Sequence, residues 1–512
     1  MVCPDEAPHG SGANSWRGVE SMMTFDLALP AFAQLVIDTL GEQALADYFF
    51  LRDVSGKLTL IVPDRMLEPA VKDALARRAY ELVGPYVDSD GLAVATPSEL
   101  FDERLNAPDD ALSVHVYVHG RLLRVRVVDR RMVGSDWLRA PAVPAAGRNR
   151  LAFVSLKGGV GRTTALCVLA ADLVAQGRRI LVVDLDLEAP GLGNMLLRPD
   201  TLPRFGMLDY LVEQGLAPVD DQFVNDMIGA SWLGAGRGRL DVIPAIGQLA
   251  NENPENVLGK IARAYLASPD ENGNATTFAD HIALALDRVS RGRAYDAILI
   301  DARAGLHETT AAAIVGLGAK ILFFGLDQPQ TYADYRLLFA HLETLGHSAS
   351  SQGKPTTSPD VNAPLEVATD GPTESPSYLS EGGVLPFSWQ DTLLLVHAKA
   401  STDSQSQDRF IDRMTELVRH TLTKVSDPLA RQVDVRPLAN EFDVEWDDTD
   451  IDQVPVPAEN GLNTCRILND DHYASFDPLG NPDLLDVMVY ETTYRPFIDA
   501  CRSMLGLENA GS

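Results

Sequence analysis

The residues best suited to chemistry form one glycine-rich run, Lys157-Gly-Gly-Val-Gly-Arg-Thr-Thr164. An apolar stretch, 151–155, comes before it, and a helix-like stretch, 165–176, follows it. Glycines allow the backbone to approach an anion closely, and the N–H groups of such a turn and the positive end of the next helix dipole attract negative charge. The run therefore predicts a phosphate cradle between a strand and a helix.

Carboxylates follow two later apolar runs. Asp184 and Asp186 end the first of these runs, and Asp301 ends the second. Because the carboxyl ends of parallel strands line the ligand crevice of an open α/β sheet, we expect these groups beside the cradle. Thr163, Asp184 and Asp301 are predicted to support Mg²⁺, Asp186 to orient water, and Gly305 to offer its N–H to a terminal phosphate. Three such elements in this order predict a bound nucleoside triphosphate.

The elements that position these groups are short apolar runs separated by helix-like stretches. Strands are predicted at 151–155, 179–183, 240–243, 297–300, 320–324 and 392–396. Nearly continuous apolar strands with crossover helices are typical of a sheet that is buried on both faces. The predicted fold is thus α/β, with a doubly wound, mostly parallel sheet.

Composition divides the 512 residues into several regions. Residues 25–141, which contain a predicted hairpin at 113–118 and 122–128 but no chemical motif, form a small α+β accessory domain. A linker rich in Pro, Ala and Gly separates it from the α/β domain. The remaining predicted regions are a disordered tail at 1–24, the two parts of the α/β domain at 149–346 and 386–508, and a disordered Ser/Thr/Pro/Gly-rich insertion at 347–385.

Together the three motifs resemble those of the ParA/MinD-type ATPases, the deviant Walker A group of P-loop proteins. The loop of that family reads K-G-G-x-G-K-[ST], and here arginine stands at position 162, as in the subgroup of KGGVGR-motif variants. The resemblance covers about 150–345 and 386–508. It implies ATP and Mg²⁺ as cofactors and an ATP-sandwich homodimer in which Lys157 reaches the partner's phosphates. The implied metal ligand is Thr163, and Asp186 would position the attacking water.

The predicted site residues fall into three sets. The nucleotide contacts are Lys157, Gly158, Gly159, Val160, Gly161, Arg162, Thr163, Thr164 and Gly305; the metal ligands are Thr163, Asp184 and Asp301; and the catalytic residues are Lys157 and Asp186. Gln328 and Gln330 are weaker candidates for nucleotide contact. His307 and Glu308 are candidates for a switch region, although helix-start chemistry explains the glutamate equally well.

Two departures from the family pattern leave alternatives open. Arg162 keeps the positive charge, but its planar head is larger than that of lysine and arranges its donors differently. The protein is therefore either a slowly hydrolysing dimerisation switch that acts on a cargo or partner complex, or a non-hydrolysing nucleotide sensor in a regulatory or antiviral complex. The strand expected near the base ends in Val396-His397-Ala-Lys399 instead of the asparagine that is frequent in the family, so the base contact is unassigned.

Composition limits the partners and the compartment. There are 43 Lys and Arg against 72 Asp and Glu, for a net charge of −29, which disfavours direct nucleic-acid binding. The four cysteines have no metal-site or disulfide spacing. No apolar run approaches the ~20 residues of a membrane span. We expect a cytoplasmic protein that meets no membrane and binds an unknown protein partner through the accessory domain.

Overall fold

The structure is a computed structural model, and it describes residues 23–108, 110–131, 133–144, 149–233, 238–269, 275–351, 392–422 and 463–507. The chain divides into two compact units, Met1–Arg130 and Arg131–Ser512. Most of the predicted tail at 1–24 lies outside the described residues, as does the predicted insertion beyond residue 351. The first residues of that insertion, 347–351, belong to a helix.

The first unit combines helices with a five-stranded sheet, whereas the sequence predicted an α+β unit without β3 (Val94–Ala95). Its elements are α1 (Phe25–Leu40), α2 (Ala44–Asp47), β1 (Phe49–Arg52), β2 (Leu58–Ile61), α3 (Pro69–Val83), β3 (Val94–Ala95), β4 (Leu112–Val118) and β5 (Arg121–Asp129). The strand order is β3-β2-β1-β5-β4. The α1 side chain of Phe32 and the β1 side chain of Phe50 meet edge to face, with ring centroids 5.3 Å apart. His119 and Gly120 turn the predicted β4–β5 hairpin, both with positive φ, as a type I′ turn requires.

The second unit alternates strands and helices. Its elements are β6 (Arg150–Ser155), α4 (Arg162–Ala175), β7 (Arg179–Asp184), α5 (Leu192–Leu196), α6 (Met207–Leu216), α7 (Asp221–Asn225), β8 (Gly229–Ala230), β9 (Arg239–Ile243), α8 (Gln248–Glu252), α9 (Val257–Ala264), β10 (Ser268–Pro269), β11 (Ala275–Thr276), α10 (Phe278–Gly292), β12 (Ala297–Asp301), α11 (Glu308–Ala311), β13 (Lys320–Gly325), α12 (Pro329–Ser351), β14 (Leu393–Ala400), α13 (Ser404–Leu422), β15 (Asn463–Leu468) and α14 (Val487–Leu505).

The main sheet of this unit has the strand order β15-β14-β13-β6-β12-β7-β9-β8. Neighbouring strands are parallel, except that β8 runs antiparallel to β9. This confirms the predicted doubly wound, mostly parallel sheet. The order places β12 between β6 and β7, and Asp301 is paired in register with Asp184. The glycine loop and the predicted carboxylates therefore meet at one edge of the sheet.

Helices cover both faces of this sheet. On one face, the α14 residue Phe497 packs on Phe153 of β6 and Phe324 of β13, with centroids 6.2 and 5.9 Å away. On the opposite face, Phe323 packs on the α12 residue Phe339, with centroids 5.5 Å apart. Consecutive strand residues thus enter different cores, as the alternation of side chains along a strand requires.

A short segment before β6 belongs to the second unit. The buried Asp136 carboxylate accepts a hydrogen bond from the Ala279 N–H at 2.9 Å, and Arg139 forms an ion pair with Asp280 at 2.8 Å. Residues 131–141, predicted as the end of the accessory domain, therefore pack on the α/β unit. Over the described ranges, no helix is sufficiently long and apolar to cross a bilayer.

Candidate nucleotide-binding site

The glycine loop joins β6 to α4 in the conformation that a phosphate cradle needs. Gly159 and Gly161 have φ values of 74° and 88°, a region that favours glycine. A Cβ atom built on either of these residues, or on Gly158, would meet nothing within 4 Å, so the loop borders open space. Val160 is buried and fixes the loop to the core. The space beside the loop and the amino end of the long helix α4 fit an anionic phosphate group.

The Asp301 carboxylate receives hydrogen bonds from the first two residues of α4. The Thr163 hydroxyl donates to its Oδ2 at 2.6 Å, and Arg162 Nε donates to its Oδ1 at 2.5 Å. The Asp301 side chain is only 2% exposed. A hydroxyl held by a carboxylate keeps its oxygen lone pairs available, and hard oxygen donors of this kind suit Mg²⁺. Thr163 and Asp301 therefore fit a magnesium site.

The guanidinium of Arg162 lies beneath the loop and is 8% exposed. Its Nη1 donates to the Ser155 hydroxyl at 3.3 Å, and its Nη2 is 3.7 Å from the Asp186 carboxylate. These partners are the chain's own polar groups, because the two carboxylates attract the guanidinium inward. The predicted phosphate contact of Arg162 would require these bonds to be exchanged.

Asp184 organises the loop that follows β7. Its Oδ1 accepts from the Asp186 N–H at 3.0 Å, and its Oδ2 accepts from the Gly191 and Leu192 N–H groups, each at 3.1 Å. Burial, together with the neighbouring charge of Asp301, raises the pKa of Asp184 to about 7. Because both of its oxygens serve the backbone, Asp184 holds the loop shape, and the metal role predicted for it would need these bonds to change.

The remaining predicted metal ligands do not form a preassembled cluster. Within the described part of the chain, no group of three or more His, Cys, Asp or Glu residues is arranged to hold a metal ion. Magnesium at this site would therefore depend on Thr163, on the Asp301 carboxylate behind it, and on oxygens from the nucleotide and water.

Asp186 stands at the entrance to the cradle, and its side chain is 16% exposed. One of its oxygens accepts from the Ala189 N–H at 3.2 Å. Burial raises the pKa of Asp186, and the nearby Arg162 charge opposes that rise. A carboxylate in this place can accept a hydrogen bond from water, which is the role predicted for it.

Glu188 joins the two loops that follow β7 and β12, a connection that the sequence analysis missed. Its Oε1 lies 2.6 Å from Arg303 Nη1 and accepts a hydrogen bond from the Tyr265 hydroxyl at 2.8 Å. His307 Nε2 lies 3.5 Å from the same oxygen, and burial lowers the pKa of His307. This ion pair could have been predicted from the opposite charges of Glu188 and Arg303, because both residues follow strands that were predicted to lie close together.

Other predicted candidates occupy the rim of the site. Gln328 and Gln330 are both exposed. Lys157 Nζ donates to Gln328 Oε1 at 3.0 Å, which brings this one of the two candidate glutamines to the loop. The Gly305 N–H donates to the Ser155 carbonyl at 2.9 Å. Its predicted phosphate contact would have to replace that bond. Thr164 lies in the first turn of α4.

Two further residues considered in the sequence, Glu308 and His397, are buried and contact other parts of the fold. Glu308 begins α11, is buried, and accepts a hydrogen bond from the Gly134 N–H, so it holds the segment before β6. His397 is buried in β14 with its ring stacked on Phe410, the centroids being 4.2 Å apart. The base contact stays unassigned.

The central strand of the parallel sheet enters an open glycine loop, and a hydroxyl of the helix after the loop donates to a carboxylate on the neighbouring strand. These features define a P-loop nucleotide-binding protein. The sequence profile of the CobQ/CobB/MinD/ParA nucleotide binding domain matches residues 151–435, more than half of the chain. The protein therefore belongs to this family and is of the ParA/MinD type.

Individual proteins that are similar to this chain include one sequence relative and two solved structures. A chromosome partitioning protein ParA of Caulobacter vibrioides is 31% identical over 186 residues, which are 35% of this chain and 58% of that protein. An McdA–ATP complex from Cyanothece is 14% identical, with 72% of this chain and 100% of that chain covered and a TM-score of 0.39. The cell division protein MinD of Aquifex aeolicus is 14% identical, with 70% and 97% covered and a TM-score of 0.36.

Proposed function

We propose that this chain is an ATP- and Mg²⁺-dependent dimerisation switch: ATP joins two copies, and slow hydrolysis parts them. The observation that carries the proposal is the open loop at Gly159 and Gly161 beside the hydrogen-bonded pair of Thr163 and Asp301. Membership of a family whose members dimerise on ATP supports it.

The residues divide the work of phosphoryl transfer to water. Backbone N–H groups of the loop and the amino end of α4 bind the phosphates, while Thr163 and Asp301 hold the metal, which supplies charge neutralisation. Asp186 orients the water. Lys157 lies on the rim, where its Nζ donates a hydrogen bond to Gln328. In the proposed dimer, Lys157 exchanges this partner for the phosphates of a second copy.

The expected turnover is slow because of Arg162. Its guanidinium is engaged below the loop by Asp301 and Ser155, so it does not stand over the cradle to offset charge that develops on the transferred phosphoryl group. Binding depends mainly on the backbone amides and is therefore less affected than the chemical step.

The test measures ATP turnover together with mass by light scattering, with ATP and Mg²⁺ and with ADP. The proposal expects slow turnover and dimers that form only with ATP and are lost in Lys157→Ala. Lys57→Ala, which changes a lysine of the first unit, serves as the matched control and keeps both properties. A chain that binds no nucleotide under any of these conditions would refute the proposal.

A non-hydrolysing sensor in a regulatory or antiviral complex is the second candidate, and the buried Arg162–Asp301 pair favours it. ATP-dependent dimers without measurable turnover would select this function. If Arg162→Lys then raised ATP turnover sharply, the native arginine would be the reason why the dimer binds ATP without hydrolysing it.

The partner of the switch is proposed to be a protein that binds the first unit. Direct DNA binding is disfavoured by the net charge of −29. Retention of the ATP-bound protein on DNA at low salt, lost at moderate salt, would overturn this part of the proposal. The proposed location is the cytoplasm.

A further inference from the structure

Three acidic side chains meet beneath the glycine loop. Asp184 and Asp301 are paired in register on adjacent parallel strands, and Asp186 follows two residues after the first of them. Asp184 and Asp301 are almost completely buried. Buried carboxylates on adjacent strands are costly unless a cation or hydrogen-bond donors accompany them.

The guanidinium of Arg162 is the cation that lies beside two of the three carboxylates, Asp301 and Asp186. Its Nε contacts Asp301 at 2.5 Å, its Nη1 contacts Ser155 at 3.3 Å, and its Nη2 lies 3.7 Å from Asp186. Each of its three nitrogens therefore faces a different oxygen.

This arrangement depends on arginine. The guanidinium is a planar fork with donors that point in fixed, divergent directions, whereas lysine ends in a single compact ammonium. A lysine ammonium at position 162 would offer a single nitrogen to Asp301, Ser155 and Asp186. Each of these residues now faces its own nitrogen of the guanidinium. The arginine thus suits inward pairing with Asp301 and Asp186.

We propose that Arg162 is a built-in counter-ion for Asp301 and Asp186. It makes the binding of the nucleotide, as distinct from the Mg²⁺-dependent hydrolysis proposed above, only weakly dependent on a divalent cation. The inference rests on the proposed nucleotide-binding function. A polyphosphate that enters a site lined with carboxylates is repelled, and a divalent cation ordinarily offsets that repulsion. Here the guanidinium offsets part of it before any metal enters, so removing the metal costs less affinity.

The opposite behaviour follows if Arg162 leaves its partners when the nucleotide enters. Asp301 and Asp186 would then lose their counter-ion at the moment when the phosphates arrive. The metal would become at least as necessary as in a lysine loop, and binding without it would be lost.

The test is a titration of the full chain with a fluorescent ATP analogue, followed by anisotropy, once in excess Mg²⁺ and once in EDTA. The natural chain is expected to lose about tenfold in affinity or less in EDTA, which is the lower limit of the range for one charge-assisted hydrogen bond. Arg162→Lys is expected to lose at least about ten times more than that, because its two carboxylates are less well compensated.

A control variant separates the loop arginine from a general effect of replacing an arginine. Arg239→Lys changes the first residue of β9, which pairs with Asp241 at 2.9 Å and lies at the opposite end of the sheet from the loop. Its loss of affinity in EDTA should equal that of the natural chain. Thermal melting without nucleotide confirms that each variant is folded, and the comparison of Mg²⁺ with EDTA on the natural chain needs no variant.

The outcomes distinguish the inference from the function on which it rests. Equal losses in EDTA for the natural chain and Arg162→Lys, or a larger loss for the natural chain, would overturn the inference while nucleotide binding stands. A folded natural chain that binds the analogue neither with Mg²⁺ nor with EDTA would overturn the proposed function and the inference together.

Discussion

The Arg303 guanidinium lies 2.6 Å from the Glu188 carboxylate, so one ion pair connects the loop after β7 with the loop after β12. The first loop carries Asp186 and the second carries Gly305, which are both predicted site residues. The Tyr265 hydroxyl, which follows α9, donates to the same carboxylate at 2.8 Å. The two loops and the segment after α9 therefore share one carboxylate as a common contact.

Glu188→Gln is expected to loosen both loops with little effect on global stability. The pair is partly exposed, at 21% and 34% of the two side chains, so its loss should cost about 1 kcal/mol or less. Amide hydrogen exchange of the nucleotide-free protein should rise at 186–192 and 302–307. The control Glu491→Gln, which changes a surface ion pair of α14 with Arg495, should leave both loops unchanged. Unaltered exchange in Glu188→Gln would show that the ion pair does not hold the loops.

The sequence was sufficient to predict the sheet and the meeting of its carboxylates. Apolar runs specified the buried strands, and the rule that ligands gather at the carboxyl ends of parallel strands placed Asp184 and Asp301 together. It was insufficient for β15, because Asn463–Leu468 mixes polar and apolar residues and pairs only with β14 at the sheet edge. An edge strand needs no continuous apolar run, so hydrophobicity alone does not reveal it.

The direction of the Arg162 side chain also lay beyond sequence reasoning. A glycine loop specifies the backbone, but the side chain can face either the open cradle or the sheet. Its inward position depends on Asp301, which is 139 residues away along the chain, and on the balance of buried charge among three strands. The ion pair of Glu188 with Arg303 is likewise a contact between side chains that are far apart in sequence. The sequence shows their opposite charges and their positions after two strands, but it does not show that they meet.

Asp172→Ala is expected to lower the free energy of unfolding by about 3–5 kcal/mol, the range for breaking a buried ion pair. Asp172 on α4 receives Arg502 Nη2 at 2.6 Å and the Tyr490 hydroxyl at 3.2 Å, both from α14. Truncation leaves the mostly buried Arg502 guanidinium with only the more distant carboxylate of Asp499, at 3.7 Å. Urea unfolding followed by far-UV circular dichroism measures the loss.

Two further variants test the origin of that loss. Asp172→Leu combined with Arg502→Leu should recover much of the stability, since no charge is then left unpaired. Arg495→Met, which removes a partly exposed pair on α14, should cost less than about 1 kcal/mol. A double variant as unstable as Asp172→Ala would mean that packing, not the unpaired charge, causes the loss.

The raised pKa of Asp184 predicts that stability falls as pH rises. The folded state holds the proton up to about pH 7, whereas the ordinary pKa is 3.8, so the folded state binds more protons between these values. This contribution is fully present below about pH 4 and is lost as the pH rises through about 7, with a slope of at most about 1.4 kcal/mol per pH unit.

Asp184→Asn isolates this effect, because the amide does not titrate. The variant loses a backbone acceptor, so only the pH dependence is compared and not the absolute stability. The natural chain should lose stability relative to Asp184→Asn between pH 5 and pH 7 in urea unfolding series. Parallel curves for the two proteins would contradict the assignment of the proton to Asp184.

Gly161→Ala and Gly506→Ala provide a matched pair for testing the cradle. Both glycines are in the left-handed helical conformation, with φ and ψ of 88° and 17° at Gly161 and 66° and 27° at Gly506, and a Cβ at either position meets nothing within 4 Å. Each substitution should therefore destabilise by a similar amount, about 1 kcal/mol, because an L side chain is strained in this region. Gly161 borders the predicted phosphate space, whereas Gly506 ends α14. Only Gly161→Ala should weaken the binding of the fluorescent ATP analogue. The melting temperature measures the loss of stability, and the anisotropy titration measures the loss of affinity.

Two outcomes would contradict this prediction. Equal weakening of binding by both variants would mean that general destabilisation lowers affinity, and unchanged binding in both would mean that the phosphates bind elsewhere.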